Sequence, residues 1–391
     1  MGIFLAGLLA DHIGRKYVLI SVLSFLVCVS IGCCYVVNYT QLIILRAFIG
    51  MGTISSFNIT YNYLSELISP TKRTISAAIY GCGFSVSQLL LAGMATQVKE
   101  WRRLHLYSTF PCIVAILFLF CMPESPRWQL VNKKKEHAER TLNTIMKFNT
   151  TTEQPIVLKQ PPQKIQQRRY TYIDLLSSCK VASVTLVQAL IWMTIEMCYY
   201  TIALQSSSLG VDMYEAFMLS ALSEIPSNFV ACYTCTKFGR KWSTLCGLIG
   251  AGVCLTCTAL VHRPTVNMVL MMLGKFFIAL SEQAVYMWTF ELFPTVVRFQ
   301  GTSVCILCAR IGSFGAPFLS DTIQKMNPAL PYIIMSSFAA LATIGGLSLP
   351  ETNGQPLRQN YEDFFRRSVA KVNTVDVVNR QDEIKTSDKI I

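Results

Sequence analysis

Ten apolar runs dominate this chain, at 17–37, 42–64, 75–97, 104–122, 181–204, 214–236, 243–261, 265–288, 300–320 and 330–349. A helix needs about 20 residues to cross the ~30 Å hydrocarbon core of a bilayer, so each run is long enough to span. The spacing predicts an all-α membrane protein. Composition agrees, because 52% of residues are hydrophobic and 14% charged, against roughly 25% charged in soluble domains. Met1 to Ala10 are apolar but about half the length of a span. They lack the basic start and small-residue cleavage site of a signal peptide, and read as the end of a span whose beginning is missing.

The formal charge of +12 invites a nucleic-acid reading, which its distribution removes. If the loop from Asp11 to Lys16 is cytoplasmic, the remaining loops alternate from it and the C-terminus is cytoplasmic too. Of the 34 Lys and Arg, 26 then lie in cytoplasmic loops or the tail, five in outer loops (Lys99, Arg102, Arg103, Arg263, Lys325) and three inside spans (Arg46, Lys275, Arg310). The positive-inside rule accounts for this excess, and no nucleic-acid recognition module accompanies it. The fifteen cysteines fall mostly inside apolar runs, without disulfide-framework or metal-ligand spacing. The four histidines form no H-x-x-x-H pair. No phosphate-binding loop is present, so neither a cofactor nor a metal is implied, and no paired catalytic groups suggest an enzyme.

An internal repeat divides the chain. Gly14-Arg15-Lys16 recurs 225 residues later as Gly239-Arg240-Lys241, Glu66-Leu67 recurs at the same offset as Glu291-Leu292, and Arg73 as Arg298. Pro123-Glu124 recurs after 227 residues as Pro350-Glu351. Repeats should be sought before any other feature, because they set the architecture. The expected organisation is an N-terminal bundle at 1–127, a polar cytoplasmic linker with partial helix at 128–180, a C-terminal bundle at 181–357 and a polar cytoplasmic tail at 358–391. Two parallel halves of this kind place a substrate site near the bilayer midplane between them.

The run from Gly7 to Lys16, with Asp11, Gly14 and the basic pair in register, resembles the loop signature of major facilitators. Arg46 with Gly50 and Gly52 resembles their basic fourth span. More specific are Trp101-Arg102, the stretch Pro123-Glu124-Ser125-Pro126-Arg127-Trp128, the stretch from Glu291 through Pro294 and Thr295 to Arg298, and the stretch from Pro350-Glu351 to Gln355-Pro356-Leu357. Together they resemble the organic cation/anion/carnitine transporters of solute carrier family 22. The resemblance implies a major facilitator fold of two pseudo-symmetric six-helix bundles, here with the first span and part of the second missing. It also implies a multi-pass location in the plasma membrane. The C-terminal loop departs from the pattern, with Thr236 where the N-terminal loop has Asp11 and Cys232 where it has Gly7.

By that resemblance Asp11, Arg15, Glu66, Arg73, Glu124, Arg127, Arg240, Glu291, Arg298 and Glu351 form a cytoplasmic gate, holding in one access state and parting in the other. The acids carry the argument, since membrane orientation alone does not require Glu at matching positions of both halves.

An ionised side chain in mid-span costs ~2.5–3.5 kcal/mol on insertion scales, so Glu196, Glu224, Lys275, Glu282 and Arg310 each need a partner, a cavity or a task. Arg310 resembles the anion and carnitine branches and suits a carboxylate. Glu224, two residues before Pro226, resembles the acid of the cation and carnitine branches and suits an ammonium. The structural alternative pairs Arg310 with Glu224 or Glu282. Lys275 lies one heptad before Glu282, and a pair between them is likewise the structural alternative to a role in binding. Trp192, Tyr199 and Tyr200 match family aromatics that can hold quaternary ammonium or aromatic groups, with plain packing as the alternative. Glu282, Gln283 and Tyr286 fall in the tenth-span stretch that lines the pocket in relatives, where Glu282 is a departure. Gln88 resembles a fifth-span pocket position.

The expected function is secondary transport of a small organic ion by alternating access, best an organic cation or a carnitine-like zwitterion. An organic anion transporter and a non-transporting regulatory fragment are the alternatives. The expected partners are the substrate and the lipid bilayer, with self-association or association with a full-length transporter left open, and no nucleic acid.

Overall fold

A computed structural model describes residues 2–68, 72–132, 134–149, 175, 179–205, 212–261, 263–293 and 297–353. The tail, most of the linker beyond residue 149, the segment 294–296 and the Gln355-Pro356-Leu357 motif lie outside the described residues. In chain order the helices are α1 (Gly2–His12), α2 (Arg15–Cys34), α3 (Tyr39–Leu67), α4 (Arg73–Gln97), α5 (Trp101–Cys121), α6 (Pro126–Val131), α7 (Lys135–Asn149), α8 (Cys179–Gln205), α9 (Met213–Lys237), α10 (Arg240–Leu260), α11 (Pro264–Leu292), α12 (Arg298–Pro317), α13 (Gln324–Met326) and α14 (Leu330–Leu347). A π-helical segment, Phe318–Ile323, joins α12 to α13.

Nine of the described helical stretches are long and apolar enough to cross a membrane. The expected run at 214–236 does form a helix, α9, yet it is not among the nine. The reason is a polar stripe: Ser220, Glu224, Ser227 and Asn228 recur at helical spacing and are all buried. Such a stripe lowers the hydropathy of the helix while turning its polar groups away from the outside.

The described residues form two compact units. In the first, α1 packs on α2 and α3, and α2 on α3. Its core gathers Ala6, Ala10, Val18, Leu19, Ile59, Tyr63 and Leu119. On α5 the side chains of Leu117, Phe118 and Phe120 are all more than 60% exposed, as suits a helix facing lipid. The described start of the linker folds as α6 and the charged helix α7.

In the second unit α12 packs on α8, α10 on α11 and α14, and α9 on both α4 and α11. Small buried residues on α4, Ala77, Ala78 and Ser85, admit α9 closely, as is usual where lipid supplies no hydrophobic drive between helices. By contacts α4 therefore groups with α8 to α14, although by sequence it precedes the linker.

Candidate functional site: two helix-end latches and a buried charge cluster

Residues of the repeat build the same structure twice. In the first unit the Glu124 carboxylate accepts the backbone N–H groups of Arg15 (3.1 Å) and Lys16 (3.2 Å), and that of Ser125 at 2.8 Å. Arg15 reaches the Glu66 carboxylate at 3.3 Å, and the Ser125 hydroxyl donates to the other oxygen of Glu66 at 2.5 Å. Lys16 Nζ donates to the carbonyl of Phe120 at 3.0 Å. The first N–H groups of α2 have no partner within their own helix, and a carboxylate there also meets the positive end of the helix dipole.

The second unit repeats each element. Glu351 accepts from the N–H groups of Arg240 (3.0 Å), Lys241 (3.5 Å), Thr352 (2.9 Å) and Asn353 (3.1 Å). Arg240 pairs with Glu291 at 3.0 Å, and the Thr352 hydroxyl donates to Glu291 at 2.7 Å. Lys241 Nζ donates to the carbonyls of Leu347 (2.8 Å) and Leu349 (2.7 Å). Gly14 and Gly239 precede the amides with φ of 129° and 101°. A Cβ at either position would lie 2.5 Å from the facing glutamate, so glycine is required both by conformation and by space.

The sequence singled out the arginines and glutamates of these latches; Lys16 and Lys241 entered it only as part of the repeat, and Ser125, Thr352 and Asn353 were given no role. Ser125 and Thr352 were detectable, because each follows a Pro-Glu pair of the repeat. Arg127 is exposed on α6. The side chains of Asp11, Arg73 and Arg298 lie outside the described part of the structure.

The mid-span charges belong to the second unit, and their pairing differs from both expected structural alternatives. Lys275 pairs with Glu224 at 3.3 Å, both side chains nearly fully buried. It does not pair with Glu282, because seven residues along one helix separate the two by about 10.5 Å of rise. The Tyr199 hydroxyl donates to Glu224 at 2.7 Å, Ser85 donates to the second carboxylate oxygen at 3.1 Å, and Gln88 donates to the Tyr199 hydroxyl at 2.8 Å. Lys275 Nζ also faces the Tyr199 carbonyl and ring. Glu224 is thus satisfied by protein groups from α4, α8 and α11.

Arg310, on α12, pairs with Glu196 on α8 at 2.5 Å, and with neither Glu224 nor Glu282. The Arg310 side chain is 34% exposed, whereas Glu196 is 6% exposed. Tyr200 stands beside the guanidinium. Glu282 lies within electrostatic reach of Glu196, Glu224, Lys275 and Arg310, yet among the described residues it makes no hydrogen bond or ion pair.

The aromatics divide. Trp192 is fully buried, donates to the Thr289 hydroxyl at 2.9 Å and meets Tyr286 edge-on at 4.4 Å. Tyr199 is buried in the Glu224 network, while Tyr200, edge-on to it at 5.3 Å, is 37% exposed. Gln283 and Tyr286 are partly buried on α11, and Gln283 approaches Gly81 of α4 together with Asn228. Among the described residues, no three His, Cys, Asp or Glu side chains converge to hold a metal ion.

Comparison with known proteins places this architecture. The sugar (and other) transporter family matches residues 1–364. Human "Organic cation/carnitine transporter 2" is 30% identical over 374 residues, which cover 94% of this chain and 67% of that protein. Mouse "Solute carrier family 22 member 4" is 29% identical over 372 residues, covering 93% and 67%. Among solved structures, the proton:xylose symporter XylE bound to 6-bromo-6-deoxy-D-glucose superposes with a TM-score of 0.70 at 18% identity, covering 91% of this chain and 84% of that one. That likeness establishes the fold. The chain is a multi-pass membrane protein that belongs to the sugar (and other) transporter family of the major facilitator superfamily, and within it to solute carrier family 22.

Proposed function

We propose that this chain is a secondary transporter of the plasma membrane that carries a small organic cation, or a zwitterion of the carnitine type, by alternating access. The charge balance of the buried cluster supports this reading best. Three carboxylates (Glu196, Glu224, Glu282) face two bases (Lys275, Arg310), and both bases are engaged by Glu224 and Glu196. Glu282 is left as the carboxylate that an ammonium group would complete. Glu282 is partly buried, and an ionised side chain in mid-span is costly without a partner, so a cationic ligand would supply the counter-charge that the protein does not. Tyr200 and Tyr286 would offer ring faces to quaternary ammonium. Glu224, Lys275, Tyr199, Gln88 and Trp192 would support the site from the packed side, and Gln283 follows Glu282 on α11.

Membership of a family of transporters supports this reading over a regulatory fragment and over an enzyme. The proposed gate is the pair of latches at the inner span ends, with Asp11, Arg73, Arg127 and Arg298 beside them. An organic anion is the second reading, favoured by the partly exposed guanidinium of Arg310.

The test is saturable uptake of radiolabelled tetraethylammonium, carnitine and benzoate by cells displaying the chain at their surface. Uptake of tetraethylammonium or carnitine is expected, and Glu282→Gln is expected to raise the KM for either at least about tenfold. Uptake of benzoate alone would replace this reading with the anion one. Uptake of none of the three would remove the organic-ion reading.

A further inference from the structure

Among the mid-span pairs, that of Arg310 with Glu196 is built unevenly. Lys275 and Glu224 are both buried and share a network of four helices, so their pair is part of the packing. Arg310 instead presents a third of its side chain outward, while its partner is almost completely enclosed. The contact runs from Nη2 to one oxygen of Glu196, whereas the guanidinium fork can hold a carboxylate through two parallel bonds. The buried Nε of Arg310 has no hydrogen-bond partner. The guanidinium is therefore held by a carboxylate of the protein through one arm and is also engaged by the partly exposed Tyr200, while its Nε keeps unused donor capacity.

We propose that Glu196 is an internal stand-in for a substrate carboxylate: it occupies Arg310 and so sets the selectivity of the site against organic anions. A free anion that takes Arg310 must displace Glu196, leaving a carboxylate without its ion-pair partner at 6% exposure, or else must crowd a second negative charge beside it. Either outcome opposes anions through repulsion, the second route to specificity besides attraction. A cation meets no such obstacle, since Glu282 is not engaged. Glu196 is thus a selectivity residue that acts through Arg310 and need not touch the ligand. The inference deepens the organic-ion reading and rests on it.

Equilibrium binding of radiolabelled benzoate and tetraethylammonium to the purified full chain tests it. Glu196→Gln and Glu196→Ser are both measured, two variants being used so that a failure of one to fold does not end the test. Benzoate affinity is expected to rise at least about tenfold in each folded variant, because the competing charge is gone. The gain should disappear when Arg310→Gln is added and should be absent in Glu196→Asp, which keeps the charge. If the unsubstituted chain binds tetraethylammonium but neither neutral variant gains benzoate affinity, the selectivity role is overturned and the transport reading stands. A gain that survives Arg310→Gln likewise overturns it. If the folded chain and its folded variants bind neither probe, the organic-ion reading fails and takes this inference with it.

Discussion

The two latches share a plan and differ in where they lead. Both begin with a glycine at positive φ, present two successive amides to a glutamate, and join an arginine to a second glutamate. In the first unit the residue after the Pro-Glu pair, Ser125, also accepts from the N–H of Trp128 and so caps α6. In the second, Thr352 is followed by Asn353, whose side chain accepts a hydrogen bond from Arg240. The same device therefore opens a helix in one unit and is closed by a side chain in the other. The loop, the second glutamate and the arginine are conserved in geometry, while the exit is free to vary.

Substitutions can break this equivalence or sharpen it. The largest effect is expected from Glu124→Ala and Glu351→Ala, which strand three and four backbone amides respectively at partly buried helix ends. At roughly 1–3 kcal/mol for each unsatisfied donor, both variants should lose about 4 kcal/mol, read as thermal unfolding in one detergent. A large loss for one and none for the other would show that the resemblance is only in shape. Next, Gly239→Ala should cost about 2–3 kcal/mol and Gly14→Ala about 1–2, since positive φ carries a penalty of this order. Gly239 is the tighter site: an added Cβ meets three atoms of Glu351 within 2.9 Å, against one atom of Glu124 below 3.0 Å. Equal losses would mean that the backbone conformation, and not contact, sets the cost. The smallest effect belongs to Arg15→Lys and Arg240→Lys, expected to lose about 0.5–1 kcal/mol each because both pairs are partly exposed. A loss above that range would assign the arginines more of the latch than the amides.

How far the sequence reveals these features depends on their kind. The spans follow from length and hydropathy, and only α9 falls short, because the stripe that includes Glu224 is what makes it polar. The latches were legible because their members recur at fixed offsets. The shift from 225 to 227 falls between Arg298 and Pro350, the interval that contains the π-helical segment Phe318–Ile323. Such segments absorb extra residues without ending a helix. Pairing in the charge cluster was not legible, since partners there come from different helices. Spacing along α11 could relate Lys275 to Glu282, but it carries no information about Glu224 on α9. Glu196 stood out as a mid-span charge, yet only the packing of α12 on α8 gives it Arg310. Trp192 and Tyr199 illustrate the same limit: an aromatic stripe does not disclose which ring is spent on Thr289 or Glu224 and which, like Tyr200, stays partly open.

Glu124 and Glu351 are recognised by main-chain amides, and every residue but proline supplies the same amide. Positions 15, 16, 240 and 241 can therefore drift in side chain, proline apart, with the anchor intact, whereas Gly14, Gly239 and the two glutamates cannot. The familiar basic pair is then the less reliable half of the signature. A search for distant relatives of this chain should weight a glycine and a glutamate about 110 residues apart above the arginine and lysine between them.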